Sequence, residues 1–368
     1  MDSSSYRGLT RLRWVNIERA RAMRNSSTIG VDLAKNAIQV SVVTPANKEL
    51  SNKELSCIKF AEFLAKQKPG LVAFEACSTA HHWARLATTY GHQVKIIPAM
   101  AVAPFRQGHK TDKNDALAVA EAANRPNIKI APMKSIEHQA IQSIQRSREL
   151  IIQERTATSN HIRGLLLEFG IAIPKGLVHL RRHVPLVLED AENGLPMSYR
   201  PTLHRMLMRF HAAEEDLAFM DEQVKQIVKS NDGCQRLTAL EGVGPIGAIL
   251  LFATLGSGEA FKNGREFSAY IGLTPKQYSS GGKTNVIGIS KHVANRRLRA
   301  VLIQGARAYV YKRKQAASAK DRWLLDLVAR GGHGKAAVAL ANKNVRTAWA
   351  ILTQGSQYNC KPCLGNAT

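Results

Sequence analysis

The chain has 368 residues, 45% hydrophobic and 22% charged, which is enough to bury two or three cores and reads as a folded protein rather than a disordered tail. Lys and Arg number 52 against 28 Asp and Glu, a net charge of +24, and such an excess predicts a polyanionic partner because each neutralised phosphate releases condensed counterions. No run of eighteen apolar residues occurs and the start carries neither an apolar signal core nor a small-residue cleavage pattern, so the expectation is a cytoplasmic, nucleoid-associated protein with no membrane partner.

In chain order, residues 1–27 form a basic extension with six arginines in the first 24, either a frayed terminus or an arm that touches nucleic acid. TIGVDLAKNAIQVSVV (28–43) reads as an apolar run, a polar turn and an alternating strand, a β-hairpin that opens a sheet. LVAFEA (71–76) is a further buried strand, followed by a helix from Ser78 to about Tyr90, and QVKIIP (93–98) is a strand stopped by Pro98. A helix beginning near Lys113 or Asn114 completes an α/β domain over 28–130.

The middle region, 135–231, changes to two long helices, Ser135–Phe169 and about Pro201–Ser230. In the second, positions 203, 206, 210, 213, 217, 220, 224 and 227 are all apolar at three-four spacing, a coiled-coil seam that either closes a hairpin within one chain or builds an oligomer. Residues 232–355 read as a compact, mainly helical basic domain. Within it, 267–320 hold eleven Lys and Arg and no acid, and Ser290 is a plausible N-cap for a helix reaching Lys312 that carries Arg296, Arg297, Arg299 and Arg307. A tail, 356–368, holds Cys360 and Cys363 without a second ligand pair. The five scattered cysteines suggest neither a disulfide framework nor a zinc site.

Three constellations bear on chemistry. Asp32 ends the run Ile29-Gly30-Val31 and Glu75 ends Leu71–Phe74, where a carboxylate is either an exposed strand end or a cation ligand. Asp112 and Asp115 follow at a helix start, three residues apart and so on one face. Four carboxylates so drawn could hold two magnesium ions about 4 Å apart for in-line phosphoryl transfer. Lys110 and Lys113 beside them either hold phosphates or solvate the loop. Gly242-Val243-Gly244-Pro245, between apolar helical segments, resembles a helix-hairpin-helix turn that offers amides to a phosphate; an ordinary helix connection is the alternative. In Tyr278-Ser279-Ser280-Gly281-Gly282-Lys283, a serine before two glycines can expose its hydroxyl on a turn near cations such as Lys283 and Lys291. GGHGK (331–335) lacks phosphate-loop spacing, His81-His82 reads as packing or surface, and no HExxH occurs.

Taken together, IGVDLAKN, FEACST, PAMAVAPFRQGHKTDKNDA, LEGVGPIGA, FKNGREFSAYIGLTPKQYSSGGK and GISKHVANRRLRAVLIQGA resemble, in order, the motifs of the DEDD-type insertion-sequence transposases, the IS-one-ten family, over about residues 27–355. The resemblance implies an RNase H-like (RuvC-like) N-terminal domain whose DEDD ligands for Mg2+ are Asp32, Glu75, Asp112 and Asp115. It implies a coiled-coil middle and a C-terminal transposase domain with a nucleophilic serine, for which Ser280, directly before glycine, matches better than Ser279. It further implies a homotetramer assembled from dimers, with sites joining one subunit's carboxylates to another's serine. Its partners would be donor and target double-stranded DNA and a guide (bridge) RNA, held through phosphates and shape by residues including Lys110, Lys113, Gly242, Gly244, Lys283, Lys291, Arg296, Arg297 and Arg299. Two alternatives stand beside this expectation: a site-specific DNA invertase on the same scaffold, and a non-catalytic basic RNA- or DNA-binding protein.

Overall fold

The computed structural model describes residues 27–290 and 295–358, so most of the N-terminal extension, Lys291, Cys360 and Cys363 lie outside the described residues. The chain forms two compact units, one comprising residues up to Ser135 with Gly256–Ala260, the other Ile136–Leu255 with Phe261 onward.

In the first unit β1 (Thr28–Leu33) and β2 (Ala37–Val43) make the expected antiparallel hairpin, with Thr28 opposite Val43 and Leu33 opposite Ile38. β2 also pairs with β3 (Glu49–Ser56), while β4 (Leu71–Glu75) runs parallel to β1 and β5 (Gln93–Ile97) parallel to β4, giving the order β3-β2-β1-β4-β5. The helices of this unit are α1 (Cys57–Lys66), α2 (Ala80–Thr89), the short α3 (Ala99–Val102) and α4 (Asp112–Asn124).

Strand alternation sorts the two faces. Ile29, Val31, Val72 and Phe74 pack on one side with Phe60, Leu64, Trp83, Ala84 and Ala87 of α1 and α2. Ala73 faces the other side, where it packs with Ala118, Val119, Ala122 and Ala123 of α4. Gly30 shares that side, because a Cβ added there would overlap the Ala116 carbonyl and the Ala120 amide and stand 2.6 Å from the Ala120 Cβ. An alanine-rich helix thus lies directly on a strand that has no side chain at the crossing. The Thr28 hydroxyl donates to Asn124 Oδ1 at 2.6 Å, and Asn124 Nδ2 donates to Asn47 Oδ1 at 2.6 Å, so the end of α4 is tied to the start of β1. Helix α4 therefore runs against β1, and its first turn comes to rest at the strand end that carries Asp32.

In the second unit α5 (Ile136–Glu168) and α7 (Arg200–Ser230) form an antiparallel hairpin. Arg148 pairs with Asp221 at 2.7 Å and Arg155 with Glu214 at 3.9 Å, one heptad apart on each helix and in opposite directions. All eight apolar seam positions are buried or half-buried within this single chain. Between the arms α6 (Leu177–Glu189) closes the tip, where Leu180 and Val184 pack with Ile162, Leu166, Leu203 and Phe210. At the base, Ile141 and Val224 share a core with Cys234 of α8 (Asp232–Thr238) and with Ile249 and Ala253 of α9 (Pro245–Leu255).

Next come α10 (Gly264–Ile271), a two-stranded sheet of β6 (Pro275–Ser280) and β7 (Lys283–Ile289), α11 (Arg296–Lys312) and α12 (Ala319–Gln354), the last broken at Gly332 where φ is 79°. The N-cap of α11 is Asn295, whose side chain accepts from the Leu298 amide at 2.9 Å, rather than Ser290. A buried polar group joins these helices. Lys320 Nζ donates to Glu241, to Asn344 Oδ1 at 3.0 Å and to the Tyr358 hydroxyl at 3.1 Å, while that hydroxyl donates to Glu241 Oε1 at 2.9 Å. The unit is thus mainly helical, as its sequence suggests, with one exposed hairpin added. Among the described residues no helix is long and apolar enough to cross a membrane.

Candidate active site

Asp32 and Glu75 stand side by side, because β1 and β4 are parallel and in register up to Val31 opposite Phe74, one residue before each acid. By alternation both share the sheet side of Gly30 and Ala73, the side that α4 covers. Asp112 and Asp115 occupy the first turn of α4, which Thr111 caps by accepting from the Asn114 amide at 3.3 Å. The structure therefore brings all four predicted acids to one end of the sheet.

The electrostatics record the crowding. Asp32 is pushed up to about 6 by burial and then by the negative charges of Asp112, Asp115 and Glu75, against a hydrogen bond from the Leu33 amide. Glu75 is raised by burial and by Asp115, against the opposing charges of Lys110 and Arg106. Asp115 is buried and has a cationic partner, Arg106, whose Nη1 lies 3.0 Å from Oδ1. That arginine was missed as a site residue. The signal for it was the cation in FRQGHKTD, within ten residues of a buried acid.

Four acids crowded here, two of them raised by burial and by their neighbours' charge, fit a hard divalent cation with oxygen ligands such as Mg2+. Among the described residues no three acids, histidines or cysteines already form a chelating cluster, so the carboxylates would have to turn inward around a cation. Lys110 and Lys113 are exposed, and the Lys113 carbonyl is held by Asn52 Nδ2 at 3.1 Å.

In the second unit Ser280 closes a two-residue turn. It pairs with Lys283 across Gly281 (φ 55°) and Gly282 (φ 76°), two left-handed positions that suit a tight hairpin loop. Ser279 Oγ accepts from Gln277 Nε2 at 3.1 Å and lies 3.4 Å from Thr284 Oγ1. The exposed Ser280 hydroxyl makes no hydrogen bond among the described residues, which leaves it the freer of the two.

The remaining predicted contacts are mixed. Gly242 has φ 79° and packs on α11, since a Cβ there would lie 2.6 Å from the Gly305 carbonyl, whereas Gly244 is open. Arg297 is held by Glu149 at 3.3 Å, and Arg299 donates to the Ser290 and Gly272 carbonyls. Arg296 and Lys283 are exposed.

A mixed α/β unit that gathers four acids at a strand–helix junction, followed by a basic helical unit, is the layout of a DNA-processing enzyme. Residues 29–171 match a family model described as "Transposase", and residues 234–323 match one described as "Transposase IS116/IS110/IS902 family". The chain is 35% identical to the transposase for insertion sequence element IS1111A of Coxiella burnetii, over 93% of this chain and 94% of that protein. It is 38% identical to a probable family 20 transposase of Pseudomonas aeruginosa, over 91% and 99% of the two chains. It is 35% identical to the transposase for insertion sequence element IS1328 of Yersinia enterocolitica, over 92% and 100%. The chain belongs to the IS116/IS110/IS902 family of transposases, enzymes that cut and rejoin DNA.

Proposed function

We propose that this transposase moves its own insertion sequence with two chemical centres: the carboxylates Asp32, Glu75, Asp112 and Asp115, which would hold Mg2+, and the nucleophile Ser280. The observation that carries the reading is the convergence of four acids from β1, β4 and α4, with Asp32 raised to about 6 by burial and its neighbours. The sheet order β3-β2-β1-β4-β5, with an antiparallel hairpin joined to parallel strands, supports an RNase H-like domain.

Bound there, the metal would supply electrostatic activation of a phosphodiester. The chain's own residues set up the rest. α4 and β1 fix the spacing of the carboxylates, Arg106 balances Asp115, and Lys110 and Lys113 offer charge to phosphate. Ser280 Oγ gives up its proton and bonds to phosphorus as a P–O ester bond of the strand breaks, and the leaving oxygen takes up a proton. Attack by another DNA hydroxyl on the phosphoserine link then rejoins the strand and restores Ser280. Donor and target duplexes and a guide (bridge) RNA would lie on the basic surface. The protein would act as a homotetramer assembled from dimers, for which the exposed Leu150, Met208 and Phe219 on the helical hairpin offer apolar contact area.

The test is incubation of the protein with Mg2+, labelled element-junction and target DNA, and RNA transcribed from the element's flanks, read on a denaturing gel. An RNA-dependent protein–DNA adduct, absent in Ser280→Ala and in Asp112→Asn while nucleic-acid binding persists, is the expected result. Cleavage without an adduct would reduce Ser280 to a turn residue, and normal recombination by either variant would remove the assignment.

A further inference from the structure

A groove of about 1440 Å³ lies wholly within the second unit, between β7, the start of α10 and the long helix α12. Arg265, Lys335, Lys343 and Arg346 are among its lining residues, and among the described residues no Asp or Glu lines it. All four cations are exposed and none has an acidic partner among the described residues. Two of the chain's four tryptophans also line it. Lys343 Nζ sits over the face of the Trp323 ring, 4.6 Å from its centroid, a cation–π contact that a stacking base would share or displace. Trp349 Nε1 is buried with no hydrogen-bond partner among the described residues. Val286 and Ile287, 68% and 54% exposed, add an apolar wall from β7.

From this geometry we propose that the groove binds an unpaired stretch of DNA. The cations would follow its phosphates, while Trp323, Trp349 and the apolar wall receive its bases. A duplex hides its base faces in the stack, so only an unpaired strand presents both a polyanion and π-faces to such a surface. DNA is the strand chosen because the chain belongs to a transposase family. The proposal rests on that membership and not on the role given to Ser280. It also explains why so large an apolar recess is ringed by cations: a protein segment would fill the recess, but only an acidic one would use the rim.

The test uses the full-length protein and a fluorescein-labelled twelve-residue oligo(dT), read by anisotropy beside a hairpin duplex of equal charge. Trp323→Leu is expected to weaken oligo(dT) binding by about tenfold, the loss of one stacked base, and to leave duplex binding unchanged. Lys343→Ala with Arg346→Ala, which alters only exposed side chains, is expected to lower the salt slope by about 0.7 per cation removed. Ultraviolet crosslinking to 5-bromo-deoxyuridine oligonucleotides should yield adducts on peptides containing Trp323 or Trp349, and Ser280→Ala should retain all of this behaviour. Adducts confined to other peptides, or equal losses on single strand and duplex, would overturn the proposal. So would tighter binding of the matching ribo-oligonucleotide, or tryptophan emission that changes with protein concentration alone, as a second copy in the groove would cause.

Discussion

Gly30 of β1 and Ala116 of α4 touch backbone to backbone, because the position of a Gly30 Cβ is already filled by the Ala116 carbonyl. Asp115 is the residue before Ala116 and Asp32 lies two past Gly30, so this contact sets how far the helix acids stand from the strand acid. Gly30→Ala must push α4 off the sheet. We expect a loss of about 1–3 kcal/mol in urea unfolding together with weaker Mn2+ binding by calorimetry. Wild-type stability and affinity in that variant would show that the helix is not held by this crossing.

The Arg106–Asp115 pair makes the opposite prediction for metal affinity. The arginine is partly exposed beside a buried acid, and its positive charge competes with a metal cation for that carboxylate. Arg106→Gln should therefore tighten Mn2+ binding up to several-fold, because a competing cation is gone, while strand cleavage falls through lost phosphate contact. Weakened metal binding in calorimetry would instead make Arg106 a support for the site's shape.

A pH dependence of stability is expected from the buried Glu241–Lys320 pair of the second unit. Burial raises the Glu241 carboxyl, but hydrogen bonds from Lys320 and Tyr358 and the Lys320 charge outweigh it and leave Glu241 below its ordinary 4.5. A depressed acid contributes stability that is present above the unfolded value and lost as pH falls through the folded one. Wild type should thus lose stability below about pH 4.5 with a slope that Glu241→Gln reduces. Lys320→Ala, which strands a buried carboxylate, should cost about 3–5 kcal/mol at neutral pH. Denaturant midpoints from pH 3 to 7 give both numbers.

Cys234 is fully buried at the base of the helical hairpin, and its thiol is pushed up to about 12 by burial and by Glu137. It should resist maleimide at pH 8 until the protein unfolds, whereas the exposed Cys77 reacts at once and the half-buried Cys57 more slowly. Peptide mapping after timed labelling distinguishes them, and early modification of Cys234 would mean that the hairpin base opens readily.

Much of this was legible in the sequence where one face is buried. The β1–β2 hairpin, β4, β5 and the two long helices carry clear periodicity, and the four acids stand out because each interrupts or borders an apolar or capped segment. β3 escaped notice because an exposed edge strand, ELSNKELS, needs no apolar alternation. α6 carries Pro185 in its interior, a residue that argues against a helix, yet the tip core with Leu180 and Val184 outweighs that cost. The β6–β7 hairpin was invisible as strands, since every residue of β6 is exposed and only the glycine pair marks the reversal. At α11 the cap falls five residues beyond the Ser290 expected from the sequence. Ser290 gives its carbonyl to Arg299, and Asn295 takes the cap.

Because β6 is exposed along its whole length, no buried face holds its alignment with β7, and that task falls to the two left-handed glycines at the tip. A slip of one residue turns every side chain to the opposite face. Here the consequence is unusual, since the neighbours at the tip are two chemically identical serines. Gly281 and Gly282 thus act as a selector: they decide which of two equivalent hydroxyls is tethered to Thr284 and which is left free, a choice that side-chain chemistry alone could not make.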